Sequence, residues 1–242
     1  GPGLGTIQPS QGDYFQAVKG GGHGDYKLIT LAPNSVQEMV DFTIKAFDLA
    51  DKYLTPVLIL SDGAIGQMME KVVLPEKITP SKNKPWATTG KPASRERNII
   101  TSLYIQSEDM EAKNLRLQNK YQEIEANETL FEEYQLSDAE IVLVAYGVTS
   151  RTCKKVVDLG RGENLKLGLL RPKTLWPFPD HLLEKALKEV EVILVPELNM
   201  GQMVREVERI RHSSSQRIYS LQRYDGELMN PTEILNRLRE VR

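Results

Sequence analysis

The sequence predicts an α/β fold built on open, mostly parallel sheets, and three stretches carry that prediction. Residues 169–207, LLRPKTLWPFPDHLLEKALKEVEVILVPELNMGQMVREV, read as the end of a buried strand (Lys166–Leu170), a proline-punctuated loop, an amphipathic helix (Asp180–Val190), a second apolar strand (Val192–Val195) and a polar turn opening another helix. Strand, helix, strand recurs earlier, where Lys27–Ala32 and Pro56–Ser61 flank a periodic segment from Val36 to Tyr53. A third alternation starts at Glu140–Ala145 and runs through Arg217–Ser220 to a closing helix at Pro231–Val241.

Taken in chain order, the helix expected at Val36–Tyr53 has Asn34 or Ser35 to cap it and Glu38 placed as a capping box requires. The strand after it ends at Asp62-Gly63. Residues 75–98, rich in Pro, Lys, Ser and Thr, show no sustained period and read as a linker or long arm. Ile105–Tyr134 reads as one long charged helix, a solvated strut with a narrow buried seam; strict heptads are absent, which argues against a coiled coil. Tyr146–Ser150 follows the next strand and leads into a helix expected at Arg151–Gly160, with Thr149 and Ser150 as its caps. Pro172, Pro177 and Pro179 fix three backbone φ angles in one loop, so Trp176 and Phe178 are held against something. Arg171, between Leu170 and Pro172, is expected to clamp a fixed carboxylate or carbonyl.

Composition narrows the functional classes. The net charge of -2, without a Lys/Arg block, gives no electrostatic case for nucleic acid or a membrane surface. No apolar run approaches the ~20 residues of a spanning helix, and no charged-then-apolar leader opens the chain, so the cytoplasm is the expected compartment. Cys153 is the only cysteine, so this chain cannot ligate an iron–sulfur cluster, which needs about four. His23, His181 and His212 lie in different elements and show no metal-ligand spacing.

The string 169–207 resembles the transketolase-C-like domain of the subunit that carries the pyrimidine-binding domain in 2-oxoacid:ferredoxin oxidoreductases. Two further stretches match the same family in the same order: residues 1–39, GPGLGTIQPSQGDYFQAVKGGGHGDYKLITLAPNSVQEM, and residues 139–152, AEIVLVAYGVTSRT. The first stretch looks most like the branched-chain, 2-oxoisovalerate type; the 2-oxoglutarate type has Ser-Thr where this chain has Gly3-Leu4. The resemblance implies three regions: residues 1–75 as the C-terminal part of a pyrimidine-binding domain, 76–136 as a linker and long helix, and 137–242 as a small open parallel-sheet domain, which its complete alternation of strands and helices leads one to expect to fold by itself. It also implies that the chain is the C-terminal fragment of a longer subunit, inactive alone.

Gly1–Gly24 is glycine-rich, yet GPGLG is not the GxGxxG fingerprint and no strand precedes it, so as a nucleotide motif it is weak. The resemblance places this loop beside the cofactor and the 2-oxoacid. Ser10, Gln11 and Asp13 are then the catalytic candidates, pointing into the cleft, and Gly3, Gly5 and Gly12 the cofactor-binding ones. His23, in GGGHGDY, is added as a proton shuttle, against the equal alternative of a solvated loop histidine. Glu197, Asn199 and Gln202 are expected to make subunit contacts.

The activity implied is oxidative decarboxylation of a branched-chain 2-oxoacid. Thiamine diphosphate, shared with a partner subunit, attacks the keto carbon; CO2 leaves, electrons pass singly toward ferredoxin, and coenzyme A takes the acyl group. Mg2+ and the iron–sulfur clusters sit on partner subunits. The alternatives are a 2-oxoglutarate:ferredoxin oxidoreductase subunit and a non-catalytic α/β interaction module that binds through Trp176 and Phe178.

Overall fold

The computed structural model describes residues 8–78 and 84–242. After a short helix α1 (Tyr14–Val18) and a glycine turn, strand β1 (Ile29–Leu31) leads into helix α2 (Val36–Tyr53) and strand β2 (Val57–Ile59). Helix α2 occupies the expected span because its cap is complete: Glu38 N–H donates to Ser35 Oγ at 3.1 Å, and the Glu38 carboxylate accepts from Asn34 N–H at 2.9 Å. Asp62 caps the next helix, α3 (Gly63–Gln67), by accepting from the Ala64 and Ile65 N–H groups.

Residues 68–106 are irregular where described, and helix α4 (Ser107–Asn127) follows. The helix expected to run to Tyr134 stops at Asn127. Glu128 instead turns inward, where its carboxylate accepts from Tyr53 Oη and Lys52 Nζ, both at 2.7 Å. Phe131–Tyr134 becomes strand β3, antiparallel to strand β5 (Leu167–Pro172), so tertiary pairing overrides a locally helix-compatible FEEY.

The C-terminal half adds strand β4 (Ile141–Val144), helix α5 (Gly147–Gly162), β5, strand β6 (Thr174–Trp176) and helix α6 (Asp180–Leu187). Strand β7 (Val192–Glu197), helix α7 (Met203–Arg209), strand β8 (Arg217–Gln222) and helix α8 (Pro231–Val241) complete it. Its five strands lie in the order β3-β5-β4-β7-β8, all parallel except the β3 edge. Along β4 and β7 both faces are buried. Val142, Val144, Ile193 and Val195 face one core, Leu143, Val192 and Leu194 the other, as the two-residue period of a covered parallel sheet requires.

The two halves share structure. After β5 the chain leaves the five-stranded sheet, and β6 pairs antiparallel with β1, giving a second sheet of order β2-β1-β6. One apolar core runs without a break from Tyr14, Ile29 and Phe42 to Leu170, Val195 and Val204. Trp176 is buried, its ring edge-on to Tyr121 of α4 at 5.7 Å, and Phe178 is half-buried against the same core; the Trp176–Pro177 peptide is cis.

Arg171 is the clamp its setting predicts. Its buried guanidinium reaches Glu38 Oε2, Glu132 Oε2 at 2.7 Å and the Ala32 carbonyl, tying α2 and β1 to the β3–β5 pair. No helix among the described residues is long and apolar enough to cross a membrane.

Candidate functional site

In an open α/β sheet the ligand crevice lies beyond the carboxyl ends of the strands, at the point where strand order reverses. Here that point falls between β4 and β7, because β5 lies to one side of β4 and β7 to the other. Two loops meet there: Ala145-Tyr146-Gly147 after β4 and Leu198–Gln202 after β7.

The chain fills this crevice with its own N-terminal loop. Gln11 is buried, and all its polar atoms are paired. Nε2 donates to the Tyr146 carbonyl at 2.9 Å; Oε1 accepts from Leu198 N–H at 2.9 Å and Thr149 Oγ1 at 3.0 Å. Its backbone N–H donates to Leu198 O at 2.9 Å, and its carbonyl accepts from Asn199 Nδ2 at 2.9 Å and from Tyr146 Oη. Gln202 Nε2 adds a bond to the Gly12 carbonyl and Gln202 Oε1 accepts from Phe15 N–H, each at 2.8 Å.

Glu197 anchors the second loop. Fully buried at the end of β7, it accepts from the N–H groups of Gln202, Met203 and Val204 at the start of α7, and from Asn199 Nδ2. Burial pushes its carboxyl up from the ordinary range, while those donors pull the other way. Glu197, Asn199 and Gln202, expected at a subunit interface, are thus engaged within the chain.

Asp62 couples the halves from the other side. One carboxylate oxygen caps α3, and Oδ2 accepts from Val148 N–H at 3.2 Å, at the start of α5. Burial raises this carboxyl too, opposed by the backbone donors. Gly147 sits between them at φ +54, a left-handed backbone that favours glycine, and a Cβ there would come tightly, to 3.3 Å, against Gln11 Nε2. Helix α5 consequently begins at Gly147 rather than Arg151. Thr149 and Ser150 do not cap it: Ser150 Oγ donates to the Gly147 carbonyl and accepts from Asn34 Nδ2.

Ser10, Gln11 and Asp13 are brought together along one small crevice with Ser61, Asp62 and Gly147. Asp13 is exposed, Ser10 Oγ accepts from Gly12 N–H at 3.2 Å, and Ser61 Oγ is buried without a hydrogen-bond partner among the described residues. His23 follows the Gly20–Gly22 turn, exposed, and does not line this crevice. Gly3 and Gly5 lie outside the described residues. Asp62, Ser61 and Tyr146 were missed as neighbours of the loop; the Asp62-Gly63 helix start and the strand end before Gly147 were the available signals.

The crevice measures about 20 Å³, room for roughly one water. With Asp13 and Asp62 on its wall it has the wrong charge for a diphosphate. Among the described residues no group of His, Cys, Asp or Glu is placed to hold a metal ion. These residues do not by themselves enclose thiamine diphosphate.

Residues 1–141 match the family model for pyruvate flavodoxin/ferredoxin oxidoreductase, thiamine diphosphate-binding, and residues 139–234 match pyruvate:ferredoxin oxidoreductase core domain II. The chain belongs to the 2-oxoacid:ferredoxin oxidoreductase subunit family. The ketoisovalerate oxidoreductase subunit VorB of Methanothermobacter marburgensis is 45% identical over 244 aligned residues, covering 100% of this chain and 68% of the relative. The 2-oxoglutarate synthase subunit KorA of Methanocaldococcus jannaschii is 38% identical, covering 95% of this chain and 68% of the relative. In structure, the chain resembles a 2-oxoglutarate:ferredoxin oxidoreductase from Magnetococcus marinus with 2-oxoglutarate, coenzyme A and succinyl-CoA bound: TM-score 0.78 over 99% of this chain, at 22% identity. The chain spans 46% of that protein's chain, and the likeness shows the fold. The α/β architecture expected from the sequence is therefore that of this family.

Proposed function

We propose that the chain is part of the catalytic machinery of a thiamine diphosphate-dependent 2-oxoacid:ferredoxin oxidoreductase acting on branched-chain 2-oxoacids, with 2-oxoisovalerate as the reference substrate. The carrying observation is the 45% identity, along the whole chain, to a ketoisovalerate oxidoreductase subunit, against 38% to a 2-oxoglutarate synthase subunit. The reaction converts the 2-oxoacid and coenzyme A to acyl-CoA and CO2 while ferredoxin is reduced. Residues 1–75 belong to the pyrimidine-binding domain, 76–136 link it to the transketolase-C-like domain of 137–242, and the assembly is a cytoplasmic hetero-oligomer.

The acidic, one-water crevice supports a division of labour in which a partner subunit holds the diphosphate, and in this reading Mg2+ and the iron–sulfur clusters lie on partner subunits as well. What this chain contributes is a rigid loop. Gln11, locked across two strand ends, is a positioning residue, and it leaves Asp13 and Ser10 on the open side facing the remainder of the site. Gly3, Gly5 and Gly12 would border the cofactor, whereas His23 lies beyond α1 and the Gly20–Gly22 turn, outside the crevice.

The test is reconstitution with the partner subunits, followed by thiamine- and coenzyme A-dependent ferredoxin reduction with 2-oxoisovalerate and with 2-oxoglutarate. A higher kcat/KM for 2-oxoisovalerate is expected. Preference for 2-oxoglutarate moves the substrate to the alternative, and no thiamine-dependent turnover with either removes the enzymatic reading.

A further inference from the structure

A cavity of about 520 Å³ opens where the two halves of the chain meet, and it shares no residue with the crevice at Gln11. Its walls come from the end of α1, Lys27 ahead of β1, the last turn of α4, strand β6, the start of α6 and helix α7. That size falls within the ~300–1,000 Å³ of sites that hold small molecules.

The charges on its wall sort themselves by pairing. Buried Glu206 accepts from Lys19 and, at 3.0 Å, from Arg209, and Arg209 also pairs with Asp180 at 2.6 Å. Two cations and two carboxylates thus cancel. His181 stands in solvent beside Glu184. Two opposite charges are left over: half-buried Lys27 and exposed Glu125. Neither side chain makes a hydrogen bond or ion pair among the described residues, and the two do not pair with each other. The apolar part of the lining is Val18, Leu175 and Trp176, almost wholly buried, with half-buried Phe178 and the more exposed Leu182.

This arrangement selects a ligand by exclusion. A simple anion drawn to Lys27 meets Glu125, and a simple cation drawn to Glu125 meets Lys27; against low-dielectric walls such like-charge approaches cost more than they do in water. A molecule that carries both charges close together on an apolar body satisfies all three parts of the lining. The flexible stems of Lys27 and Glu125 let them converge on two charges borne by one carbon atom.

We propose that this cavity binds a free α-amino acid with an apolar side chain, of leucine to phenylalanine size. Its carboxylate lies on Lys27 Nζ, its ammonium on the Glu125 carboxylate and its side chain against Trp176 and Phe178. Because the walls come from both halves, the bound amino acid also stabilises their junction. Binding here is separate from turnover at the Gln11 loop, so either reading can fail alone.

The experiment is isothermal titration calorimetry of the full chain with L-leucine and L-phenylalanine, beside isocaproate, which lacks the ammonium, and isopentylamine, which lacks the carboxylate. At least one of the amino acids is expected to bind with a Kd of about 1 mM or tighter, and each singly charged analogue about tenfold more weakly or worse. Lys27→Gln and Glu125→Gln should each raise the amino-acid Kd by about tenfold or more, with circular dichroism confirming that both variants fold. Glu125→Gln also removes the repulsion felt by an anion, so isocaproate should bind that variant at least as tightly as it binds the unaltered chain. No binding of either amino acid, isocaproate binding as tightly as leucine, variants that bind as well as the parent, or equal losses of leucine and isocaproate in Glu125→Gln would overturn the proposal. An amino acid that binds the lone chain but not the chain assembled with its partner subunits would overturn it as well, assigning the cavity to a partner.

Discussion

Gln11 and Tyr146 hold each other twice across the two halves of the chain: Gln11 Nε2 donates to the Tyr146 carbonyl at 2.9 Å, and Tyr146 Oη donates back to the Gln11 carbonyl at 3.3 Å. The contact joins residues 135 positions apart at the strand-order reversal of the five-stranded sheet. The crevice that such a sheet offers to a ligand is used here to fix the chain's own loop, and the loop's outer edge is left for chemistry.

Replacing Gln11 with alanine strands the Leu198 N–H and the Thr149 hydroxyl in a buried setting and leaves the Tyr146 carbonyl with only the Ser150 N–H at 3.3 Å. With ~1–3 kcal/mol for each buried group left unsatisfied, partly recovered by water, Gln11→Ala should lower unfolding free energy by about 2–4 kcal/mol. Urea denaturation measures it. A loss below ~0.5 kcal/mol, the range of an ordinary surface change, would mean that the bracket does not hold the halves.

Arg171 gives a pH prediction whose sign can be worked out. Burial tends to raise the Glu38 carboxyl, but the hydrogen bonds and charge of Arg171, with help from the Asn34 N–H and Lys173, bring it below its ordinary value. A folded value below the unfolded one, near ~4.3, gives stability that is fully present above that pH and is lost as pH falls through the folded value. Glu38→Gln should therefore be less stable than the parent chain at neutral pH, and the gap should close in acid. Denaturant midpoints of both proteins across that range test it; a gap that persists in acid would place the effect in packing rather than charge.

Helices α2 and α8 were legible to the residue, because each carries its own start signal: Ser35 with Glu38 in one, and Asn230 before Pro231 in the other, where Asn230 accepts from the Thr232 N–H. The Arg171 clamp was legible too, since a cation between an apolar strand and a proline has few places to go. Strand β3 was not, because FEEY suits a helix until β5 supplies a ladder for it. Nor was the role of Gln11 or Glu197. A buried glutamine reads as a loop residue unless its partners, more than a hundred positions away, are known, and a glutamate at a strand end looks like a contact for another molecule when it is in fact the cap of the next helix.

Cleavage of the arm tests how the halves are joined. Residues 84–98 are mostly exposed, so limited proteolysis should cut between Pro75 and Asn98 first. The nicked pieces should nonetheless stay together, held by the β1–β6 ladder, the Gln11 bonds and the shared core. Size-exclusion chromatography after digestion should show one species containing both fragments. Their separation without denaturant would show that residues 137–242 form a self-sufficient unit and that the shared core contributes little.

Asp13 separates positioning from chemistry. It stands on the same loop as Gln11, two residues on, but is exposed, and its side chain makes no capping bond to α1. Asp13→Ala should leave the thermal midpoint almost unchanged, within the ~0.5 kcal/mol of a surface substitution, because neither apolar contact nor a buried hydrogen bond is removed. In the assembled oxidoreductase the same change should lower kcat for 2-oxoisovalerate-dependent ferredoxin reduction, with Asp13→Asn retaining part of it if the side chain orients a group by hydrogen bonding. Gln11→Ala provides the contrast: its loss of turnover should come with a loss of stability and recover as temperature is lowered, whereas that of Asp13→Ala should not. Unchanged turnover in Asp13→Ala would leave the open side of the loop without a catalytic carboxylate and reduce residues 8–13 to a structural plug in the sheet's crevice.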